Sequence, residues 1–243
     1  MSKLIKEYVS ILLIESSLSP KAIFMAGAPG SGKSSIINSL NIENNFTIVN
    51  PDTEYEAAKL KNNLPFNKEI IIKAYSSVKK KYEEAEAKDK VQTIKNLEKD
   101  YIRLKSILSN DAKAFVTARI NASKKKKELS SKGTNYLVDG TGGNYNEINS
   151  QVKELKDLGY DVAMIYNDID IEESLKRDKE RSSRGGRTLG SKIVEKSHRS
   201  VEKNKEPYKE LFGENFFYIN SSSDTFKKDL ESIREKLSSF ISK

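Results

Sequence analysis

The residues with the clearest chemical signature are the eight that run from Gly27 to Ser34, with the sequence GAPGSGKS. They fit the pattern G-x-x-x-x-G-K-[ST] of a phosphate-binding P-loop. The glycines allow a close approach that a side chain would block, so successive N–H groups can point at an anion near a helix N-terminus. Lys33 adds a positive charge for the β- and γ-phosphates, and the Ser34 hydroxyl is a ligand for Mg²⁺. We therefore expect a nucleoside triphosphate to bind at Gly27, Ala28, Pro29, Gly30, Ser31, Gly32, Lys33, Ser34 and Ser35.

This chemistry requires a strand before the loop and a helix after it, and the sequence predicts both. Residues Ala22–Ala26 are wholly apolar, which is typical of a buried parallel strand, and Ser34–Leu40 has the pattern of a helix. The predicted strand and helix therefore lie where a P-loop requires them.

Further strands alternate with helices along the chain, and this alternation predicts a mostly parallel sheet covered by helices on both faces. Helices are expected at residues 3–16, from Tyr145 to Leu158, from Ile171 onward and from about Asp224 to Ile241, and a polar turn at Pro51–Asp52. The expected strands are Ala22–Ala26, Phe46–Asn50, Asn135–Asp139, Asp161–Asn167 and Phe216–Asn220.

The segment from about Thr53 to Lys132 interrupts this alternation. Its apolar residues recur at three- and four-residue steps in a background rich in Lys and Glu, as in Leu97, Tyr101 and Leu104. That spacing predicts long amphipathic helices. We expect a helical insertion at residues 53–132 within a single domain that spans residues 1–243.

Two aspartates follow predicted strands, at the edge of the sheet where open α/β folds bind their ligands. Asp139 is expected to orient Mg²⁺ together with Ser34, unless it only begins the turn DGTGG. Asp52 is placed as a general base for an acceptor hydroxyl. A capping box of Thr53 and Glu56 would leave Asp52 free for this role, and a helix start at Asn50, with Pro51 as its first residue, is equally allowed.

Four arginines follow in the segment from Leu175 to Arg187. Arginine stabilises the charge that phosphoryl transfer spreads over the phosphate oxygens, so Arg177, Arg181, Arg184 and Arg187 are candidate catalytic residues beside Lys33 and Asp52. Gly185 and Gly186 would allow residues 181–190 to close as a lid. The alternative is a solvated basic helix. His198, in the next polar helix, is expected to be exposed and without a role.

Composition excludes several other classes of site. The chain has no Cys and one His, which excludes disulfides, thiolate zinc sites and sites with two imidazoles. Its formal net charge of +8 favours anionic partners, nucleic acid among them. We find no targeting segment or membrane span, and we expect a soluble cytoplasmic protein.

The order of GAPGSGKS, VNPD, VDGTGGN and KRDKERSSRGGR resembles the P-loop kinases that include the zeta-toxin family and the phage polynucleotide kinases. The resemblance implies a five-stranded parallel sheet, an Arg-bearing lid and ATP-dependent phosphorylation of a hydroxyl. It matches Lys33 and Ser34 to the phosphate and magnesium positions and Asp52 to the base. Asp139 and Thr141 match the Glu-Gly-Thr of zeta toxins, with Asp in place of Glu, and we expect Thr141 and Asp52 at the substrate.

Three functions remain open from the sequence. The first is an ATP-dependent kinase for a hydroxyl of a nucleotide, nucleotide sugar or similar metabolite, as the resemblance to zeta toxins implies. The second is a polynucleotide 5′-hydroxyl kinase, although Tyr55 and Glu56 stand where that group has an Arg shortly after the base. The third is a switch that hydrolyses a nucleotide without phosphorylating an acceptor.

Overall fold

The computed structural model describes residues 19–184, 186 and 188–243. The helix expected at residues 3–16, together with Gly185 and Arg187, lies outside the described residues. The chain divides into two compact units. Of the described residues, the first unit comprises 19–49, 125–174 and 196–243, and the second comprises 50–124, 175–184, 186 and 188–195.

The first unit contains a sheet of five strands in the order β2-β3-β1-β4-β5. Every neighbouring pair is parallel, which confirms the predicted fold class. All seven residues of β1 are buried, because the strand lies inside the sheet and both of its faces are covered. The strands are β1 (Lys21–Gly27), β2 (Thr47–Val49), β3 (Tyr136–Asp139), β4 (Asp161–Asp168) and β5 (Phe216–Asn220).

Nine α-helices occur among the described residues, and two short 3₁₀ helices lie at Ile42–Asn44 and Gly213–Asn215. None of the described helices is both long enough and apolar enough to cross a membrane. The helices are α1 (Lys33–Ser39), α2 (Pro51–Lys61), α3 (Lys68–Glu86), α4 (Val91–Ser131), α5 (Tyr145–Asp157), α6 (Ile171–Ser183), α7 (Ser191–Lys203), α8 (Lys205–Phe212) and α9 (Phe226–Ile241).

Apolar side chains cover the two faces of the sheet from different helices. Ile23 and Met25 alternate with Phe24 along β1, and they join a buried cluster with α1 and α9 that includes Ile36 and Phe240. Phe24 faces the other side, where its ring packs against Phe212 of α8 at 5.9 Å between centroids. The carboxyl ends of the parallel strands thus lie along one edge of a sheet that helices cover on both faces.

The structure differs from the sequence-based predictions at three places. Helix α1 begins at Lys33 instead of Ser34, and Pro51–Asp52 is the first turn of α2 instead of a polar turn. Helix α8 was not predicted. Its Tyr208 and Phe212 are buried against the sheet, and this tertiary burial stabilises a helix of only eight residues.

Three helices of the second unit converge on one buried carboxylate, that of Asp111 in α4. The hydroxyl of Tyr55 donates to Asp111 Oδ1 at 2.6 Å, and Lys59 Nζ lies 2.9 Å from the same oxygen. Lys68 Nζ of α3 lies 2.8 Å from Oδ2. Burial by itself would raise the pKa of Asp111, but the hydrogen bonds from Lys68, Tyr55 and Lys59 lower it below its ordinary value.

We predict that Asp111→Asn destabilises the protein by about 3 kcal/mol or more, because it leaves Lys59 as a buried and uncompensated charge. The side chain of Lys59 is 1% exposed. Lys68→Met is the matched control, with an expected cost below about 1 kcal/mol, since the Lys68 side chain is 46% exposed. Urea unfolding measured by circular dichroism tests both values, and equal costs for the two variants would contradict the prediction.

The lowered pKa of Asp111 also predicts a pH dependence. A carboxyl whose folded-state pKa is depressed contributes stability above its unfolded pKa of about 4, and this contribution is lost as the pH falls through the folded-state pKa. The difference in free energy of unfolding between the native protein and Asp111→Asn is therefore expected to be constant from pH 5 to 7 and to shrink below about pH 4. Urea titrations across this range measure it, and a difference independent of pH would refute the assignment.

Candidate nucleotide-binding site

The glycine-rich loop lies between β1 and α1, as its sequence predicts. Gly30 and Gly32 have φ angles of 80° and 88°, in the left-handed region that favours glycine. Gly32 is also the N-cap of α1. Successive backbone N–H groups in such turns, followed by a helix N-terminus, form a concave site for an anion.

Two carbonyl groups of this loop are held by buried side chains from outside it. The Nδ2 of Asn167, at the end of β4, donates to Ser31 O at 2.6 Å. The hydroxyl of Ser174, in α6, donates to Pro29 O at 2.5 Å. Both side chains belong to residues that are 0% exposed. Because these two carbonyls are hydrogen-bonded from behind the loop, they would not oppose an anion bound by its N–H groups.

Sequence analysis did not identify Asn167 or Ser174 as site residues. Asn167 ended a predicted strand, and the rule that ligands bind beyond the carboxyl ends of strands could have found it. Ser174 lies in a polar stretch of α6 that gives no such signal.

Gly27 occupies a place where no other residue fits. A Cβ on Gly27 would lie 2.7 Å from Ser31 Oγ and 2.8 Å from the backbone oxygen of Asn167. The register of the sheet pairs Gly27 with Asn167, which explains this close approach. The loop therefore begins at the point where β1 and β4 are in contact.

The side chains expected to contact phosphate and metal lie at the start of α1. Lys33 is half-buried, and its Nζ donates to Gly27 O at 2.8 Å and to Ala28 O at 3.3 Å. Ser34 and Ser35 are exposed. The ammonium group of Lys33 thus lies over the loop that would hold the phosphates.

The sheet brings Asp139 and Thr141 to the same loop. Asp139 is paired in register with Met25, two residues before Gly27, and it is 7% exposed. The backbone oxygen of Thr141 accepts a hydrogen bond from Gly27 N at 3.0 Å. The turn after β3 is therefore directly bonded to the first residue of the glycine-rich loop.

Gly142 fixes the path of that turn. Its φ is 74°, and a Cβ there would lie 2.6 Å from Ala26 Cβ. Its carbonyl oxygen accepts hydrogen bonds from Asn204 Nδ2 at 3.0 Å and from Tyr208 OH at 2.8 Å. Burial raises the pKa of Tyr208, so its hydroxyl keeps the proton that it donates.

The donor set at this edge fits a hard cation. Ser34 offers a hydroxyl and Asp139 a carboxylate, and oxygen ligands are those that Mg²⁺ prefers. Among the described residues, no group of three or more His, Cys, Asp or Glu could hold a metal by itself. A magnesium ion here would therefore take its other ligands from nucleotide oxygens and water.

Asp52 lies in the second unit, as the second residue of α2. The side chain of Asn50 accepts hydrogen bonds from Asp52 N at 2.8 Å and from Thr53 N at 3.3 Å. Asn50 is thus the N-cap and Pro51 the first helical residue, and the alternative capping box of Thr53 and Glu56 is wrong. The Asp52 side chain is exposed and does not cap the helix.

The described arginines of the expected lid also belong to the second unit. Arg177 and Arg181 lie four residues apart on α6, and Arg184 follows the end of that helix. Gly186 N donates to Arg181 O at 2.9 Å, and a Cβ on Gly186 would lie 2.7 Å from Arg181 Cγ. Arg187 lies outside the described residues.

Asp178 anchors the chain beyond these arginines. It is 6% exposed, and its carboxylate accepts hydrogen bonds from Thr188 Oγ1 at 2.6 Å, Leu189 N at 3.2 Å and Gly190 N at 3.2 Å. The predicted lid therefore has a fixed end at residues 188–190. Sequence analysis missed Asp178, because its partners lie ten or more residues away.

The expectation that His198 is exposed is wrong. Its side chain is 14% exposed, and its Nε2 lies 2.7 Å from the backbone oxygen of Ile169. His198 thus packs α7 against the segment after β4. The residues around it in the sequence are polar, so they gave no indication that it is buried.

Residues 7–57 match the family model described as Zeta toxin, which is 51 of the 243 residues and includes the glycine-rich loop and Asp52. A search of curated protein sequences gives no significant match. The fold is similar to that of a proposed kinase from Chloroflexus aurantiacus J-10-fl, with a TM-score of 0.52, 10% identity and coverage of 92% of this chain and 98% of that chain.

A chain of the AvrRxo1-ORF1:AvrRxo1-ORF2 complex with sulphate ions gives a TM-score of 0.56 at 16% identity. A chain of the same complex, solved with ATP, has a TM-score of 0.53 at 16% identity. The match covers 85% of this chain but 56% of that chain, so this chain spans little more than half of its length. The chain has the α/β fold of P-loop NTPases and resembles P-loop kinases, zeta toxins among them.

We predict that Gly27→Ala lowers the free energy of unfolding by about 1 to 3 kcal/mol, because its methyl group would overlap the backbone of Asn167. Gly143→Ala is the matched control, since a Cβ on Gly143 would meet its nearest atom at an ordinary 3.5 Å. Urea unfolding compares the two variants. A similar change in both would show that the close contact at Gly27 carries no particular cost.

Proposed function

We propose that the protein is an ATP-dependent kinase that transfers the γ-phosphate to a hydroxyl of a nucleotide, a nucleotide sugar or a similar small metabolite. The observation that carries this proposal is the glycine-rich loop, with left-handed Gly30 and Gly32 and with carbonyls bound from behind by Asn167 and Ser174. That arrangement suits a polyphosphate. A chain of similar fold belongs to a complex that has been solved with ATP.

In this proposal the acceptor oxygen forms a bond to the γ-phosphorus while the bond between that phosphorus and the oxygen bridging to the β-phosphate breaks, and ADP leaves. Asp52 accepts the proton that the acceptor hydroxyl loses. Lys33 and the arginines at 177, 181 and 184 compensate the negative charge on the phosphate oxygens, and we assign Arg187 to the same group. Magnesium, held by Ser34 and Asp139, would neutralise charge on the β- and γ-phosphates.

Two observations favour phosphate transfer to an acceptor hydroxyl over hydrolysis of the nucleotide. The family match extends from the glycine-rich loop through Asp52, so the residue assigned as the base lies within the matched stretch. The carboxylate of Asp52 is exposed to solvent, where an acceptor hydroxyl can reach it, and the N-cap of α2 is Asn50. A nucleotide-driven switch would need neither feature.

We predict that Lys33→Ala and Asp52→Asn both abolish phosphate transfer, and that only Lys33→Ala weakens ATP binding strongly. Lys33 interacts with phosphate in both the bound and the reacting state, whereas a general base acts only on the acceptor proton. A loss of at least 100-fold in rate is expected for Asp52→Asn, in line with the usual contribution of a general base.

The measurement uses labelled γ-phosphate of ATP with Mg²⁺, offered to a pool of nucleotides, nucleotide sugars and 5′-hydroxyl oligonucleotides, with the products identified by mass spectrometry. Glu54→Gln is the matched control, because it removes one negative charge from the same first turn of α2 as Asp52→Asn. Phosphorylated small molecules that disappear in Asp52→Asn and persist in Glu54→Gln support the proposal. A phosphorylated oligonucleotide would instead identify a polynucleotide kinase, and release of inorganic phosphate unaffected by Asp52→Asn would identify a hydrolytic switch.

A further inference from the structure

Asn167 connects the glycine-rich loop to the turn that follows β5. Its Nδ2 donates to Ser31 O at 2.6 Å, and its Oδ1 accepts from the hydroxyl of Ser221 at 2.6 Å. Ser221 is the first residue after β5, and its backbone N donates to Asp168 O at 2.9 Å. A single buried side chain thus contacts two loops at the carboxyl edge of the sheet.

The amide of Asn167 can satisfy both loops in one orientation only. A carbonyl oxygen accepts hydrogen bonds and cannot donate, so the side of the amide that faces Ser31 O must be the NH₂ group. The amide oxygen then faces Ser221, whose hydroxyl has a proton to donate. Without that hydroxyl, a buried amide oxygen would lose its donor, which is costly in an interior that excludes water.

The carbonyl that Asn167 holds is central to the anion site. Ser31 O lies between the two left-handed glycines, and its direction determines the direction of the next N–H group in the loop. The main chain of Asn167 also limits the loop, because its backbone oxygen would lie 2.8 Å from a Cβ on Gly27. A shift of Asn167 would therefore disturb the loop that would contact phosphate.

We infer that Asn167 is a positioning residue that makes the phosphate affinity of the glycine-rich loop depend on Ser221. This inference rests on the proposed nucleotide-binding function. Ser221 would influence phosphate through the amide of Asn167, so its effect must disappear when that amide is absent.

A double-mutant cycle on the full chain tests this coupling, with binding of tripolyphosphate measured by isothermal titration calorimetry. Tripolyphosphate has no base or sugar, so it reports on the loop alone. We expect Ser221→Ala to weaken tripolyphosphate binding threefold or more in the native background. In the Asn167→Ala background, we expect Ser221→Ala to change the affinity by less than 1.5-fold.

Ser222→Ala is the matched control within the same turn. The Ser222 hydroxyl accepts a hydrogen bond from Asp170 N, whereas the hydroxyl that bonds to the Asn167 amide is that of Ser221. It is expected to leave tripolyphosphate affinity within 1.5-fold of the native value. Thermal unfolding of each variant confirms that it is folded, and Asn167→Leu, which preserves the branched shape, replaces Asn167→Ala if that variant does not fold.

A merely structural role for Ser221 would lower the unfolding temperature without changing tripolyphosphate affinity, or would weaken binding equally in both backgrounds. Either result overturns the inference. If the native protein binds ATP and tripolyphosphate but Ser221→Ala binds them unchanged, the inference fails while the proposed function stands. A native protein that binds neither overturns both.

Discussion

The constraint on which the candidate site depends is the direction of a few backbone carbonyls in the glycine-rich loop. An anion site made of N–H groups exists only if the carbonyls of the same peptides face elsewhere and are satisfied there. Pro29 O and Ser31 O meet this requirement through Ser174 and Asn167, which are both fully buried. The loop is therefore a product of the sheet edge behind it, and the glycines alone would not determine its shape.

The same principle extends to the turn after β3. Gly27 N donates to Thr141 O, and the carbonyl oxygen of Gly142 accepts from Asn204, which lies between α7 and α8, and from Tyr208 of α8. Polar groups that would be costly if left unsatisfied in the interior are thus paired between loops that are far apart in sequence. These bonds hold Asp139, the candidate magnesium residue, beside the start of the loop.

A buried ion pair joins helices of the second unit. The helices of this unit are rich in Lys and Glu, and at Asp111 the helix that carries Asp52 is joined to α3 and α4 through Tyr55, Lys59 and Lys68. A buried ion pair costs much to break because the remaining partner is left without compensation. The ion pair therefore helps to determine how α2, the helix that carries Asp52, packs within this unit.

The sequence by itself determined the parts of this protein that depend on local rules. The motif GAPGSGKS, the apolar strand before it, the alternation of strands and helices and the helices expected within residues 53–132 all follow from spacing and residue type. Asn50 and the Thr53–Glu56 box were equally allowed as caps of α2, because both satisfy the same local rule, and the structure selects Asn50. The roles of Asp52, Asp139 and the arginines remain predictions.

Only the tertiary structure decided the order of the strands and the contacts between distant segments. Asn167, Ser174 and Asp178 act through partners 136, 145 and 10 or more residues away, and no periodicity reports such pairs. His198 and α8 were misjudged or missed for the same reason, since their burial comes from neighbours that the local sequence does not contain. Hydrophobic patterning identifies which residues are buried, whereas buried hydrogen bonds between loops depend on how the chain folds back on itself.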